Sequence, residues 1–193
     1  MGWNSWNTFG ANINEALIKE TADAMVESGL LEKGYEYLVI DDCWSLKTRD
    51  ENERLVPDPE KFPNGMKAVA DYVHSRGLKF GMYSCAGNLT CAGYPGSFEH
   101  EFIDAETFAE WGVDFLKYDY CYHSPIIHGR YLYRRMGLAL ENCGRDILFS
   151  ACSWGSDQTH EWIKTSAASM WRSTGDIFDT WESVKDLTKQ QEK

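Results

Sequence analysis

Two apolar rhythms alternate along this chain. In residues 15–30 the apolar positions Ile18, Ala22, Met25 and Val26 fall at helical spacing. The same spacing returns in residues 66–76 with Met66, Val69, Ala70 and Val73, and again in "DAETFAEWG" and "GRYLYRRMGLALENCG". Each helical stretch closes on a glycine, the residue that accepts a left-handed cap. Each is followed by a short apolar run that ends in polar residues. Six such runs read as strands: "MGWNSWN", "YLVIDDC", "KFGMYSC", "DFLKYDY", "ILFSACS" and "SMWRSTGD". A last helix is expected from Asp179, with Glu182 placed to complete a capping box and the chain ending inside the helix at Lys193.

Helices alternating with strands that are apolar on both faces predict βαβ units and a parallel sheet. The strand ends carry the polar residues: Asn4, Asp41 with Asp42, Tyr83, Lys117 with Asp119, Cys152 with Ser153, and Arg172 with Asp176. Such a distribution matches a (β/α)8 TIM barrel, whose site gathers at the carboxyl ends of several strands. A doubly wound sheet would concentrate contacts at one switch point behind a glycine-rich turn, and no G-x-G-x-x-G follows any strand. Barrels usually need about 250 residues, whereas the 193 residues here supply about six βα units. The expectation is a single domain over 1–193, an incomplete barrel that is either part of a longer enzyme or pairs its edges with a second chain in a homo-oligomer.

Within "FLKYDYCY", Lys117, Asp119 and Cys121 alternate with Leu116 and Tyr118 and would share one face of a strand. A charged pair on an inward face requires a polar cavity there. Asp119 and Asp176, at the ends of the fourth and sixth strands, would converge across a barrel mouth. Two carboxylates facing one bond can divide glycoside hydrolysis, one attacking the anomeric carbon and the other protonating the leaving oxygen. Lys117 would keep the nucleophile ionised, and Arg172 would serve Asp176 in the same way. The adjacent pair Asp41 and Asp42 suits chelation of two sugar hydroxyls; the rival reading is a divalent metal held by Asp41, Asp42 and Asp119. Trp3, Trp6, Trp44, Tyr83 and Trp154 offer flat apolar faces for a sugar ring, with core packing the expected fate of Trp6 and of Trp44.

The formal charge of −11 argues against nucleic-acid and anionic-membrane partners and fits a neutral ligand. No apolar run approaches bilayer length, and the opening "MGWNSWNTFG" has no charged-then-apolar leader. The six cysteines are scattered without a C-x-x-C pair, so a zinc or redox motif is not expected. Asn88-Leu89-Thr90 fits the N-glycosylation pattern.

The segments "MGWNSWNTFG", "YLVIDDCW", "KFGMYSCAGNLTCAGYPGSFEHE", "FLKYDYCY" and "MWRSTGDI" together resemble the melibiase-type α-galactosidases, glycoside hydrolase family 27, which also contains α-N-acetylgalactosaminidases. The resemblance implies a retaining double displacement that removes terminal α-linked galactose. It implies Asp119, in K-Y-D-x-C, as nucleophile and Asp176, in W-R-x-x-x-D-I, as acid/base. Trp3, Asp41, Asp42, Tyr83, Lys117 and Arg172 match the family's galactose pocket, and Cys91 and Cys121 match a disulfide beside it. No metal or organic cofactor is implied, and the partner is a small galactoside. The small Ser153, followed by Ser156, resembles the α-N-acetylgalactosaminidases and leaves room for a 2-acetamido group. The family's seventh strand and C-terminal β-sandwich are absent from these residues, so a sugar-binding but inactive fragment is the further alternative. A used sequon and a Cys91–Cys121 bond would imply an extracytosolic protein; a bacterial cytoplasmic relative could carry both unused.

Overall fold

A computed structural model describes residues 1–191. All six expected strands form, and they pair in parallel in chain order: β1 (Gly2–Asn4), β2 (Tyr37–Val39), β3 (Lys79–Cys85), β4 (Phe115–Asp119), β5 (Leu148–Ala151) and β6 (Met170–Trp171). The sheet is a half-barrel. The main crossovers run through α2 (Glu15–Glu27), α3 (Gly65–Ser75), α4 (Glu101–Trp111) and α5 (Gly129–Asn142). Short α1 (Trp6–Phe9) and α6 (Thr159–Trp162) sit in loops, and α7 (Trp181–Gln190) closes the described chain. No helix among the described residues is long and apolar enough to cross a membrane.

Strand alternation sorts the sheet into two faces. Leu38, Ile40, Phe80, Met82, Leu116, Tyr118, Phe149 and Ala151 point outward and are buried in the main apolar cluster. They pack with α3 residues Met66, Val69 and Val73, α4 residue Phe108 and α5 residues Leu132, Tyr133 and Met136. The opposite set, Val39, Lys117, Ser150, Cys152 and Arg172 among them, lines a cavity of about 440 Å³ on the inner face. Gly112, after α4, takes φ 83° and lets the chain reverse directly into β4.

Several boundaries differ from the sequence reading. The first strand stops at Asn4 rather than Asn7, because the Asn4 side chain accepts the Trp6 amide at 2.9 Å and turns the chain into α1. Trp6 is consequently 40% exposed rather than packed in the core. Trp44 does pack there, edge-on to Trp111 with ring centres 5.7 Å apart. The last helix is capped one residue later than expected: Thr180 accepts the Ser183 amide at 3.2 Å, and Ser183 Oγ accepts the Phe178 amide at 2.9 Å. These two bonds take the place of the expected Asp179–Glu182 box. The expected continuation to Lys193 lies outside the described residues.

Candidate active site

The patterning of β4 is resolved by the two faces. Leu116 and Tyr118 enter the helix-side core, while Lys117 and Asp119 point into the half-barrel. Cys121 lies past the strand, and its sulfur is bonded to that of Cys91, with Cα atoms 5.1 Å apart.

Lys117 Nζ donates to Asp41 Oδ2 at 2.7 Å and sits 5.1 Å from the centre of the Tyr83 ring. Burial pulls the Lys117 ammonium down, but Asp41 beside it outweighs that, so its pKa is raised and it stays charged. Asn4 Nδ2 adds a second donor to Asp41 Oδ2 at 2.8 Å. The neighbouring Asp42 is held by main-chain amides, Cys43 N–H to Oδ1 at 2.7 Å and Ala92 N–H to Oδ2 at 3.0 Å. Burial pushes the Asp42 carboxyl up despite those donors.

Asp119 is buried and takes two donors, the Tyr83 hydroxyl on Oδ2 at 3.0 Å and the Tyr120 amide on Oδ1 at 2.9 Å. The Cys91 sulfur lies 3.6 Å from Oδ2. Burial and the adjacent Asp119 raise the Tyr83 phenol, which therefore remains a donor. Arg172 Nη1 approaches the Cys152 sulfur at 3.3 Å. The same Arg172 nitrogen meets Asp176 Oδ1 at 2.7 Å. Asp176 is thus tied through Arg172 to Cys152, just past β5, yet it is 75% exposed at the side chain, whereas Asp119 is enclosed.

Trp3, Lys117, Cys152 and Arg172 share the inner cavity. Trp154 is half-buried and edge-on to Tyr120, with ring centres 6.1 Å apart. Ser153 is fully buried, and its hydroxyl shares a 2.6 Å hydrogen bond with Thr159. Beyond the expected residues, the structure adds Cys152 as a link to Arg172 and Tyr120 as a donor to Asp119. Their position at strand ends was the only sequence signal for either.

Ligating atoms of Cys91, Asp119 and Cys121 lie within 4.8 Å of one another, but the two sulfurs are bonded together and offer no thiolate to a metal. At Asp41 and Asp42, the carboxylate oxygens already accept the Lys117 ammonium and main-chain amides.

Six parallel βα units with charges gathered at the strand ends define a (β/α)8-type scaffold. The chain belongs to the alpha galactosidase A family, whose Melibiase_2 model matches residues 1–193. It is 53% identical over 181 residues to alpha-galactosidase A of Cellvibrio japonicus, covering 94% of this chain and 44% of that protein. Alpha-galactosidase I of Mortierella vinacea superposes with a TM-score of 0.91 at 44% identity, over 93% of this chain and 46% of that one. The alpha-galactosidase of Saccharomyces cerevisiae solved with raffinose gives 0.89 at 45% identity, over 93% of this chain and 40% of its own. The chain spans less than half the length of the curated relatives it matches first.

Proposed function

We propose that this chain forms the nucleophile-bearing part of the catalytic barrel of a retaining exo-α-galactosidase. Asp119 attacks the anomeric carbon. Asp176 protonates the leaving glycosidic oxygen and then takes a proton from the incoming water. Asp41 and Asp42 accept hydroxyls of the sugar, Trp3 and Trp154 present flat faces to its C–H surface, and Arg172 holds Asp176 at the mouth. The observation that carries this reading is the environment of Asp119: an enclosed carboxylate fixed by Tyr83 and Tyr120, with Lys117 on the same face. Family membership and the galactosidase relatives support it.

The test is release of nitrophenol from p-nitrophenyl α-galactoside, with the configuration of the first-formed sugar followed by NMR. Retained α-galactose is expected, and Asp119→Ala should lower turnover about 10⁴-fold. An inverted product, or an Asp119→Ala protein that still turns over, would rule the mechanism out. Galactose titrated calorimetrically into residues 1–193 separates a binding half-pocket from an active one.

A second reading, α-N-acetylgalactosaminidase, is favoured by one observation. The Ser153 hydroxyl is committed to Thr159 and offers nothing to a sugar 2-hydroxyl. Higher kcat/KM on the N-acetylgalactosaminide than on the galactoside would select it.

A further inference from the structure

The loop after β5 holds an unusual density of left-handed backbone. Trp154, Asp157 and Gln158 have φ of 59°, 54° and 55°, and Tyr122, in the neighbouring loop after β4, has φ 46°. Non-glycine residues do not persist in this region unless surrounding contacts over-determine them. The contacts converge on Asp157. Its Oδ2 accepts the Tyr120 hydroxyl at 2.5 Å and the Gly129 amide at 2.8 Å, and its main-chain oxygen accepts Trp162 Nε1 at 2.8 Å.

Gly129 is the first residue of α5, so a carboxylate from a different loop satisfies one of the orphan donors at the positive end of that helix. The seat is built closely. A Cβ at Gly129 would stand 2.7 Å from the Tyr120 hydroxyl and 3.0 Å from Asp157 Oδ2. Tyr120 in turn is stacked on His123 with ring centres 3.7 Å apart, is edge-on to Trp154, and donates its amide to Asp119. One carboxylate therefore ties the loop that carries Trp154 to the residue that holds the Asp119 carboxylate.

We infer that Asp157 is a positioning residue for the reaction, acting through Tyr120 to set Asp119 and Trp154 relative to each other. The inference rests on the function proposed above. It predicts a defect in turnover rather than in folding alone. Asp157→Ala should lower kcat on p-nitrophenyl α-galactoside roughly 10- to 100-fold, the scale of a displaced reacting group, with a smaller change in KM. Asp157→Asn, which keeps an acceptor in place, should recover most of the loss. Tyr120→Phe removes only the phenol oxygen and should lower kcat in the same direction. The Asp157→Ala/Tyr120→Phe double variant should then be no worse than the worse single one, because both break one link.

An Asp157→Ala enzyme within about two-fold of wild type would overturn the inference, as would losses that multiply in the double variant. Should Asp157→Ala fail to fold, Tyr120→Phe decides alone, and an unchanged kcat there overturns it. Wild-type protein inert toward the substrate would overturn the functional reading instead, which keeps the two failures distinct.

Discussion

Asp114 shows how much a single side chain can collect. It accepts His74 Nε2 at 2.7 Å, the Phe80 amide at 2.9 Å and Arg145 Nη2 at 2.6 Å, joining α3, β3 and the turn before β5. Burial alone would raise its carboxyl, but these donors outweigh burial and hold it below the usual carboxylate value. A depressed folded pKa contributes stability that is complete above the unfolded value of about 3.9 and is lost as pH falls through the folded one. Asp114→Asn should therefore cost about 2 kcal/mol in urea unfolding at neutral pH, with the gap narrowing toward about pH 3. A gap that is constant with pH would show that charge is not what Asp114 contributes. None of this was legible in the sequence, because the three partners lie 40, 34 and 31 residues away. Lys117 and Asp119 were legible for the opposite reason: two charges inside an apolar strand violate a local pattern.

At the scale of elements, α5 contains a glycine, Gly137, where helix propensity favours alanine by about 1 kcal/mol. Packing explains it. A Cβ there would collide with the Ser166 main-chain carbonyl, so the helix lies directly against the turn that precedes β6. Arg134 donates to the neighbouring Thr165 carbonyl at 2.9 Å and fixes the same approach. Gly137→Ala should thus lower stability by about 1–3 kcal/mol despite its better propensity; a higher melting temperature in calorimetry would refute this account. The six strands and four crossover helices could be read in order because their periodicity was long and consistent. Strand ends could not be placed as well, since Asn4 and the residues after Trp171 leave the sheet through side-chain hydrogen bonds and turns. Helix α6 escaped notice because it follows the left-handed residues Asp157 and Gln158, whose conformation depends on contacts with distant elements.

Across the whole molecule, the sheet divides labour by face. Outward residues hold the helices, and inward residues carry the chemistry proposed above. Leu116→Ala should cost about 2–5 kcal/mol of stability and leave the proposed galactose binding of the folded protein unchanged. Tyr83→Phe, one strand away on the other face, should cost about 1 kcal/mol or less yet lower turnover through the lost 3.0 Å bond to Asp119. Thermal melts read beside calorimetric binding and rate assays would separate the two, and equal effects on both readouts would dissolve the division. Individual inner positions could be found from strand ends, but their mutual spacing depends on the curl of the sheet, which no local window encodes.

The crosslink between Cys91 and Cys121 lies beside two unmodified thiols. Cys85 reaches the Cys121 carbonyl at 3.1 Å, and Cys152 lies near Asp119. Burial pushes both thiols up to about 12. Exchange requires a thiolate, and these sulfurs keep their protons across the neutral range. The wall beside Asp119 is thereby guarded against scrambling by these two sulfurs, which stay protonated where a thiolate would attack.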